Sequence, residues 1–178
     1  MKKKVFLVIV SFMVFFRFSP ALAQTWSGRV HDVREGDLLN VIHPDKGAVT
    51  LMLYGVDAPD RGQSFYNQAK EFLADRVKGK VVKVREIPGG QNVDTAIIFC
   101  NGVNINELVL EAGFGWVCDK RCNQEFCADW MNIEAQAREG KRGLWRDENP
   151  VEPSEWRQGV MTKMLRIFLW IIPPWGER

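Results

Sequence analysis

Hydrophobic and polar positions alternate through much of the stretch from Trp26 to Cys100. Val49, Leu51 and Leu53 interleave with Thr50, Met52 and Tyr54, and a period of two sends successive side chains to opposite faces of a sheet. Pro44-Asp45-Lys46-Gly47 separates this run from Leu38 to His43 as a turn. Arg29 to Val33 reads as an earlier strand, so three strands in quick succession predict a meander. Phe65, Ala69, Phe72, Leu73 and Val77 then fall at helical spacing, with Ser64 as the expected cap and Gly79 as the stop. Val81 to Ile87 and Val93 to Cys100 return to strand patterning on either side of Pro88-Gly89-Gly90. Asn106 to Ala112 and Phe126 to Glu139 are two further helices.

Five strands broken by a helix after the third, with helices behind, predict an α+β fold: a five-stranded OB-fold Greek-key β-barrel with about three helices. Trp116, Trp130 and Trp145 are expected in the core or between helices. His31 and His43 read as strand residues, and Phe65 as part of the helix stripe, although Phe65 and Tyr66 are also of a type that stacks on bases.

The N-terminus changes the picture of charge. Lys2, Lys3 and Lys4 precede an apolar run from Val5 to Phe16, and Ala21-Leu22-Ala23 supplies a small-residue cleavage pattern. Residues 1–23 therefore read as a signal peptide, with an uncleaved anchor as the rival reading, and the chain as exported, periplasmic or secreted. The whole chain has 24 Lys+Arg against 22 Asp+Glu, net +2. Removing Lys2, Lys3, Lys4 and Arg17, with no acid, turns this to −2. A domain that grips phosphate backbones without sequence preference carries a basic excess, and this one does not.

Of the four cysteines, Cys118, Cys122 and Cys127 crowd together and Cys100 lies apart. In an oxidising compartment this favours a local disulfide over the rival zinc site, for which the Cys-x-x-Cys spacing is missing. From Val160 to Trp175 the chain is apolar but for Lys163 and Arg166. That is too short to span a bilayer, so the segment either lies on a membrane surface or folds back on the barrel.

Glu35-Gly36-Asp37 falls in the turn between the first two strands, and Gly55-Val56-Asp57-Ala58-Pro59-Asp60 follows the third. A meander brings these together, so Asp37, Asp57 and Asp60 are expected to converge as hard oxygen donors suited to calcium or magnesium. Acidic residues beside Gly and Pro are also ordinary turn formers.

The order of these pieces is more specific than any one of them. Glu35-Gly36-Asp37, Leu53 to Asp60, Asn104-Ile105-Asn106-Glu107-Leu108-Val109, Ala112-Gly113-Phe114-Gly115-Trp116-Val117, Ala137 to Trp145, and Asn149 to Pro153 with Glu155-Trp156-Arg157 together resemble the thermonuclease-like family, the staphylococcal nuclease homologues. The resemblance runs from about Ser27 to Arg157. It divides the chain into a signal peptide (1–23), a thermonuclease-like OB-fold domain (24–157) and an apolar extension (158–178).

The resemblance implies calcium-dependent cleavage of DNA or RNA phosphodiesters. By position, Asp37 and Asp57 match calcium carboxylates and the Ala58 carbonyl a third ligand. Asp60 replaces a glutamate that orients or deprotonates the attacking water. Its side chain is shorter by about 1.5 Å at most, and displacements near ~1 Å cost on the order of a hundredfold in rate. Two arginines of the family pattern are absent, with Met52 and Val93 in their places, and no Arg or Lys lies between Arg85 and Lys120. One well-placed donor is worth about 10²–10³ in rate, so the sequence predicts lost or strongly reduced catalysis and a binding module. The alternative is an active nuclease that draws cations from elsewhere, with Arg34, Arg61 and Arg85 as the nearest in sequence.

Overall fold

The computed structural model describes residues 24–88 and 93–171. In chain order the elements are β1 (Thr25–Val33), β2 (Leu38–His43), β3 (Gly47–Leu53), β4 (Val56–Asp57), α1 (Tyr66–Val77), β5 (Val81–Ile87), β6 (Asp94–Cys100), β7 (Val103–Asn104), α2 (Ile105–Glu111), β8 (Trp116–Val117), α3 (Cys127–Glu139) and α4 (Pro153–Ile171), with a 3-10 turn at Gly143–Arg146 between the last two. The signal-peptide pattern lies outside the described residues.

The meander forms as the alternation demands. Leu39, Val41 and His43 of β2 point inward, opposite Leu51, Val49 and Gly47 of β3. His43 is a buried strand residue, and its Nδ1 accepts the amides of Asp45 and Lys46 at 3.0 and 3.2 Å, closing the hairpin turn. β1 pairs with both β2 and β5, bending at a bulge between Val30 and Asp32. β5 pairs with β6, and β6 runs parallel to β3. That last pairing closes the five long strands into the OB barrel and leaves none of them as a free edge.

Leu39, Leu51, Leu53, Leu73, Ile97, Ile98, Leu110 and Trp130 are fully enclosed in the barrel core and against the helices. Trp116, Leu144 and Trp145 form a second, smaller cluster with Ala137, as expected for tryptophans in the core. Asn106 ties α2 to the seam where β3 and β6 pair. It is 0% exposed, accepts the Ile98 amide at 3.0 Å, and donates to the carbonyls of Tyr54 and Ala96 at 3.0 and 3.1 Å. Asn104 caps the same helix through the amides of Asn106 and Glu107.

One expectation needs correction. Ser64 does not cap α1. Phe65 takes the N-cap position in the left-handed region, φ 64°, with no side-chain cap. Its ring, partly buried, packs on the Trp116 cluster. The apolar C-terminal segment, as far as Ile171, is part of a helix that starts before it. A single helix, α4, starts at Pro153, where the missing N–H is not required, and runs through. Met161, Met164 and Leu165 stay 63%, 65% and 55% exposed, so α4 does not fold back on the barrel as far as Leu165. No helix among the described residues is long and apolar enough to cross a membrane.

Candidate active site

Asp37, Asp57 and Asp60 lie at one end of the barrel, each placed by a different local device. Asp37 follows Gly36, and a Cβ on Gly36 would come within 2.8 Å of both Ala58 and Ala69. Only glycine lets this turn approach both the chain after β4 and helix α1 so closely. The Asp37 carbonyl accepts the Leu53 amide at 2.8 Å, and its carboxylate accepts the Ala58 amide at 3.4 Å. Asp57 sits on β4, whose antiparallel partner is Trp116 of β8. Gly55, at φ 69°, makes the turn into β4, where a Cβ would meet Cys122 Sγ at 2.8 Å. Asp60 is held by Gln63, whose Oε1 accepts the Asp60 amide at 2.7 Å while its Nε2 donates to the Val151 carbonyl at 2.9 Å. The loop after β4 is thereby pinned to the chain that leads into α4.

The cations come from outside the sequence window in which they were expected. Arg157, in the first turn of α4, donates to Asp57 from NH2 at 2.9 Å and from NH1 at 3.4 Å, and from NH1 to Asp60 at 2.9 Å. Arg121, between β8 and α3, lies 3.2 Å from the second Asp57 oxygen and donates to the Val56 carbonyl at 3.1 Å. Its NH1 meets the sulfur of Met52. The pocket therefore holds two guanidinium groups, contrary to the expectation of none beyond a metal. Spacing along the chain hid them, because Arg157 lies 100 residues from Asp57. The three arginines nearest in sequence make no ion pair among the described residues. Arg34 is exposed, Arg61 only lines the cleft beside Asp60, and Arg85 faces the rings of Phe99 and Phe126.

The loop that carries Arg121 is tied down throughout. The Cys118 amide donates to the Gly55 carbonyl at 2.9 Å and the Cys122 amide to the Cys118 carbonyl at 2.8 Å. Cys122 and Cys127 form a disulfide, the local staple expected of the cysteine cluster, while Cys100 and Cys118 are free thiols. The Tyr54 hydroxyl accepts the Asn123 amide and donates to its side chain, both at 2.8 Å.

Burial acts on two of the carboxylates, Asp37 and Asp60. Burial, and after it the charge of Asp57, raises the Asp37 pKa to about 7, against the pull of Arg121 and the Ala58 amide. Asp37 has no ion-pair partner among the described residues. Burial also raises the Asp60 carboxyl above its ordinary value, opposed by Arg157. Burial weakens the charge of Arg157 and Arg121, yet their bonded partners raise both above the usual arginine value: for Arg157 these are Asp57 and Asp60, and for Arg121 they are Cys118 first and then Asp57.

Asp37 and Asp57 are oxygen donors of the kind a hard cation takes. Both are buried, the charge of Asp57 raises the Asp37 pKa, and Asp37 has no ion-pair partner among the described residues. No cluster of three or more Asp, Glu, His or Cys side chains able to hold a metal exists among the described residues, so Asp60 does not join the pair as a third side-chain ligand. A cleft of about 1010 Å³ opens from Asp57 between the Arg121 loop, α3 and the start of α4, and Lys120, Arg121, Arg138 and Arg157 line it.

The family model described as "Staphylococcal nuclease homologue" matches residues 50–147. The chain is 32% identical to a protein of Escherichia coli named "Uncharacterized endonuclease", over 82% of this chain and 94% of that one. It is 28% identical to an "Uncharacterized endonuclease" of Haemophilus influenzae, over 76% and 75%, and 29% identical to a "Micrococcal nuclease" of Shigella flexneri, over 78% and 84%. With the closed barrel and the acidic end of β4 already in place, these matches show that the chain belongs to the staphylococcal nuclease homologue family.

Proposed function

We propose that this protein is an active, calcium-dependent nuclease that hydrolyses phosphodiester bonds of DNA or RNA. The observation that carries the reading is the convergence of Arg121 and Arg157 on Asp57 and Asp60 at 2.9–3.2 Å. Attack of water on a phosphodiester concentrates negative charge on the equatorial oxygens, and guanidinium groups match phosphate geometry better than other side chains. Asp37 and Asp57, with the Ala58 carbonyl, would hold calcium, which when bound supplies Lewis-acid polarisation of a phosphate oxygen. Asp60 orients the water and accepts its proton, a role favoured by a pKa raised above the ordinary carboxylate value. Arg157 keeps Asp60 in place and, with Arg121, offsets the charge that builds on the phosphate.

Incubation of the purified protein with single-stranded DNA and with RNA tests this, first with calcium and then with a chelator. Cleavage that the chelator stops, and that Asp37→Ala abolishes, supports it; no cleavage of either polymer in calcium overturns it.

A second reading rests on Met52 and Val93, which put no cation at the two barrel positions where the family pattern has one. On that reading the fold survives as a nucleic-acid-binding module without catalysis, and the same assay returns salt-sensitive retention of oligonucleotides and intact product. Export to the periplasm or the medium is supported by the charged and apolar N-terminal pattern together with the Cys122–Cys127 disulfide.

A further inference from the structure

Arg121 is the most restrained cation of the cleft. Its side chain is 29% exposed against 49% for Arg157, and its loop is fixed by the disulfide, by Tyr54 and by the backbone of Gly55. Its nitrogens meet unequal partners. NH2 has two oxygens, the Val56 carbonyl and an Asp57 carboxylate oxygen. Nε has the Cys118 sulfur at 3.2 Å. NH1 carries two N–H groups and, among the described residues, meets only the thioether of Met52, a weak acceptor compared with any oxygen.

A charged donor held in place and matched to a poor acceptor is where an anionic oxygen gains most on arrival, because charge-assisted bonds to oxygen are about twice as strong as neutral ones. Arg157 differs. Both NH1 hydrogens and one of NH2 are engaged by Asp57 and Asp60. The head of Arg121 also stands against Met52 of β3, so an arginine side chain starting from position 52 would bring its charge to the same region.

We propose that Arg121 is the phosphate-binding cation of this site: its NH1 leaves the Met52 sulfur for a non-bridging oxygen of the scissile phosphodiester, and the β8–α3 loop thereby supplies from outside the barrel a charge that β3 does not. The assignment rests on the nuclease reading above and names the residue that receives the developing charge.

The test compares steady-state cleavage of single-stranded DNA at saturating calcium for the wild type, Arg121→Ala, Arg121→Lys and the double variant Met52→Arg/Arg121→Ala. Calcium titration by calorimetry and thermal melting accompany each protein. The expected result is a kcat lower by about 10²–10³ in Arg121→Ala, with calcium affinity not weakened, and recovery of most of the lost rate when Met52→Arg returns a guanidinium from the barrel. Where melting shows that the double variant fails to fold, Arg121→Lys decides. A rate between those of the wild type and Arg121→Ala supports a charge acting on phosphate, and one no better than Arg121→Ala overturns it. An Arg121→Ala protein as fast as the wild type overturns the assignment while leaving the nuclease reading intact. So does a folded double variant with no recovery, or a calcium affinity that falls in step with the rate. A wild type that cleaves nothing removes the nuclease reading itself, and this assignment with it.

Discussion

Arg157 and Asp57 meet through a forked contact, NH2 to one carboxylate oxygen at 2.9 Å and NH1 to the other at 3.4 Å, although 100 residues separate them. The fork draws the first turn of α4 onto the acidic end of the barrel, and the same NH1 reaches Asp60. The cleft is thus completed only when the chain beyond the barrel returns to it.

On the proposed function, this contact sets Arg157 against a calcium ion that Asp57 would hold. Arg157→Ala is expected to tighten calcium binding several-fold, since one positive charge beside the ligand is gone, and at the same time to lower kcat by about 10²–10³. Calorimetry and single-turnover cleavage on the same preparation check the opposed changes. Weaker calcium binding in the variant would show that Arg157 supports the site instead of competing in it.

Asp37 makes the metal-free protein sensitive to pH. Its pKa is about 7 in the folded state against an ordinary 3.8, so the fold prefers the protonated form. The resulting stabilisation is fully present below pH 3.8, fades as pH rises, and is gone above about 7. It amounts to about 4 kcal/mol at most. Urea unfolding in chelator between pH 4 and 8 is expected to show this decline, while Asp37→Asn flattens it and calcium at pH 8 restores the stability. An unchanged slope in Asp37→Asn would remove Asp37 as its source.

The Cys122–Cys127 bridge closes a short loop, and chain entropy puts its contribution to global stability at about 2 kcal/mol. Its effect on turnover is expected to be larger, because the bridge anchors Cys122, the residue next to Arg121. Cys122→Ser/Cys127→Ser protein, kept well below its melting temperature, should lose rate by about tenfold or more, since displacements near ~1 Å at a reacting centre cost on the order of a hundredfold. Cleavage rates set beside melting curves separate the two effects.

Asn106 satisfies two buried carbonyls and one buried amide. Asn106→Leu leaves the Tyr54 carbonyl and the Ile98 amide without that partner, while the Ala96 carbonyl still accepts the Tyr54 amide at 2.8 Å. Loss of about 2 kcal/mol or more is expected, at about 1–3 kcal/mol for each buried unsatisfied group. The midpoint of denaturant unfolding reports it, and the slope should stay unchanged.

Much of the barrel was legible because its determinants are local. Val49, Leu51 and Leu53 carry the strand period themselves, and Phe65 to Val77 carry the helical one. The carboxylates were legible for the same reason: Asp37 and Asp57 sit beside Gly36 and Gly55, whose turns place them. Ser64 misled because a capping serine is a local signal, whereas the left-handed Phe65 answers to the distant Trp116 cluster. Arg157 stood within the Glu155-Trp156-Arg157 piece, yet neither its contact with Asp57 nor that of Arg121 could be read from any window on the sequence. Their function depends on where the β8–α3 loop and α4 dock, and docking is set by Tyr54, Gln63 and the disulfide, residues that say nothing about charge.

The most direct test is single-turnover cleavage of single-stranded DNA in calcium by the wild type and by the Arg121→Ala/Arg157→Ala double variant, both shown folded by thermal melting. Rapid, chelator-sensitive cleavage by the wild type and a loss of at least about 10³-fold in the variant is the predicted result. Equal rates for the two proteins, or an inert wild type, would contradict it.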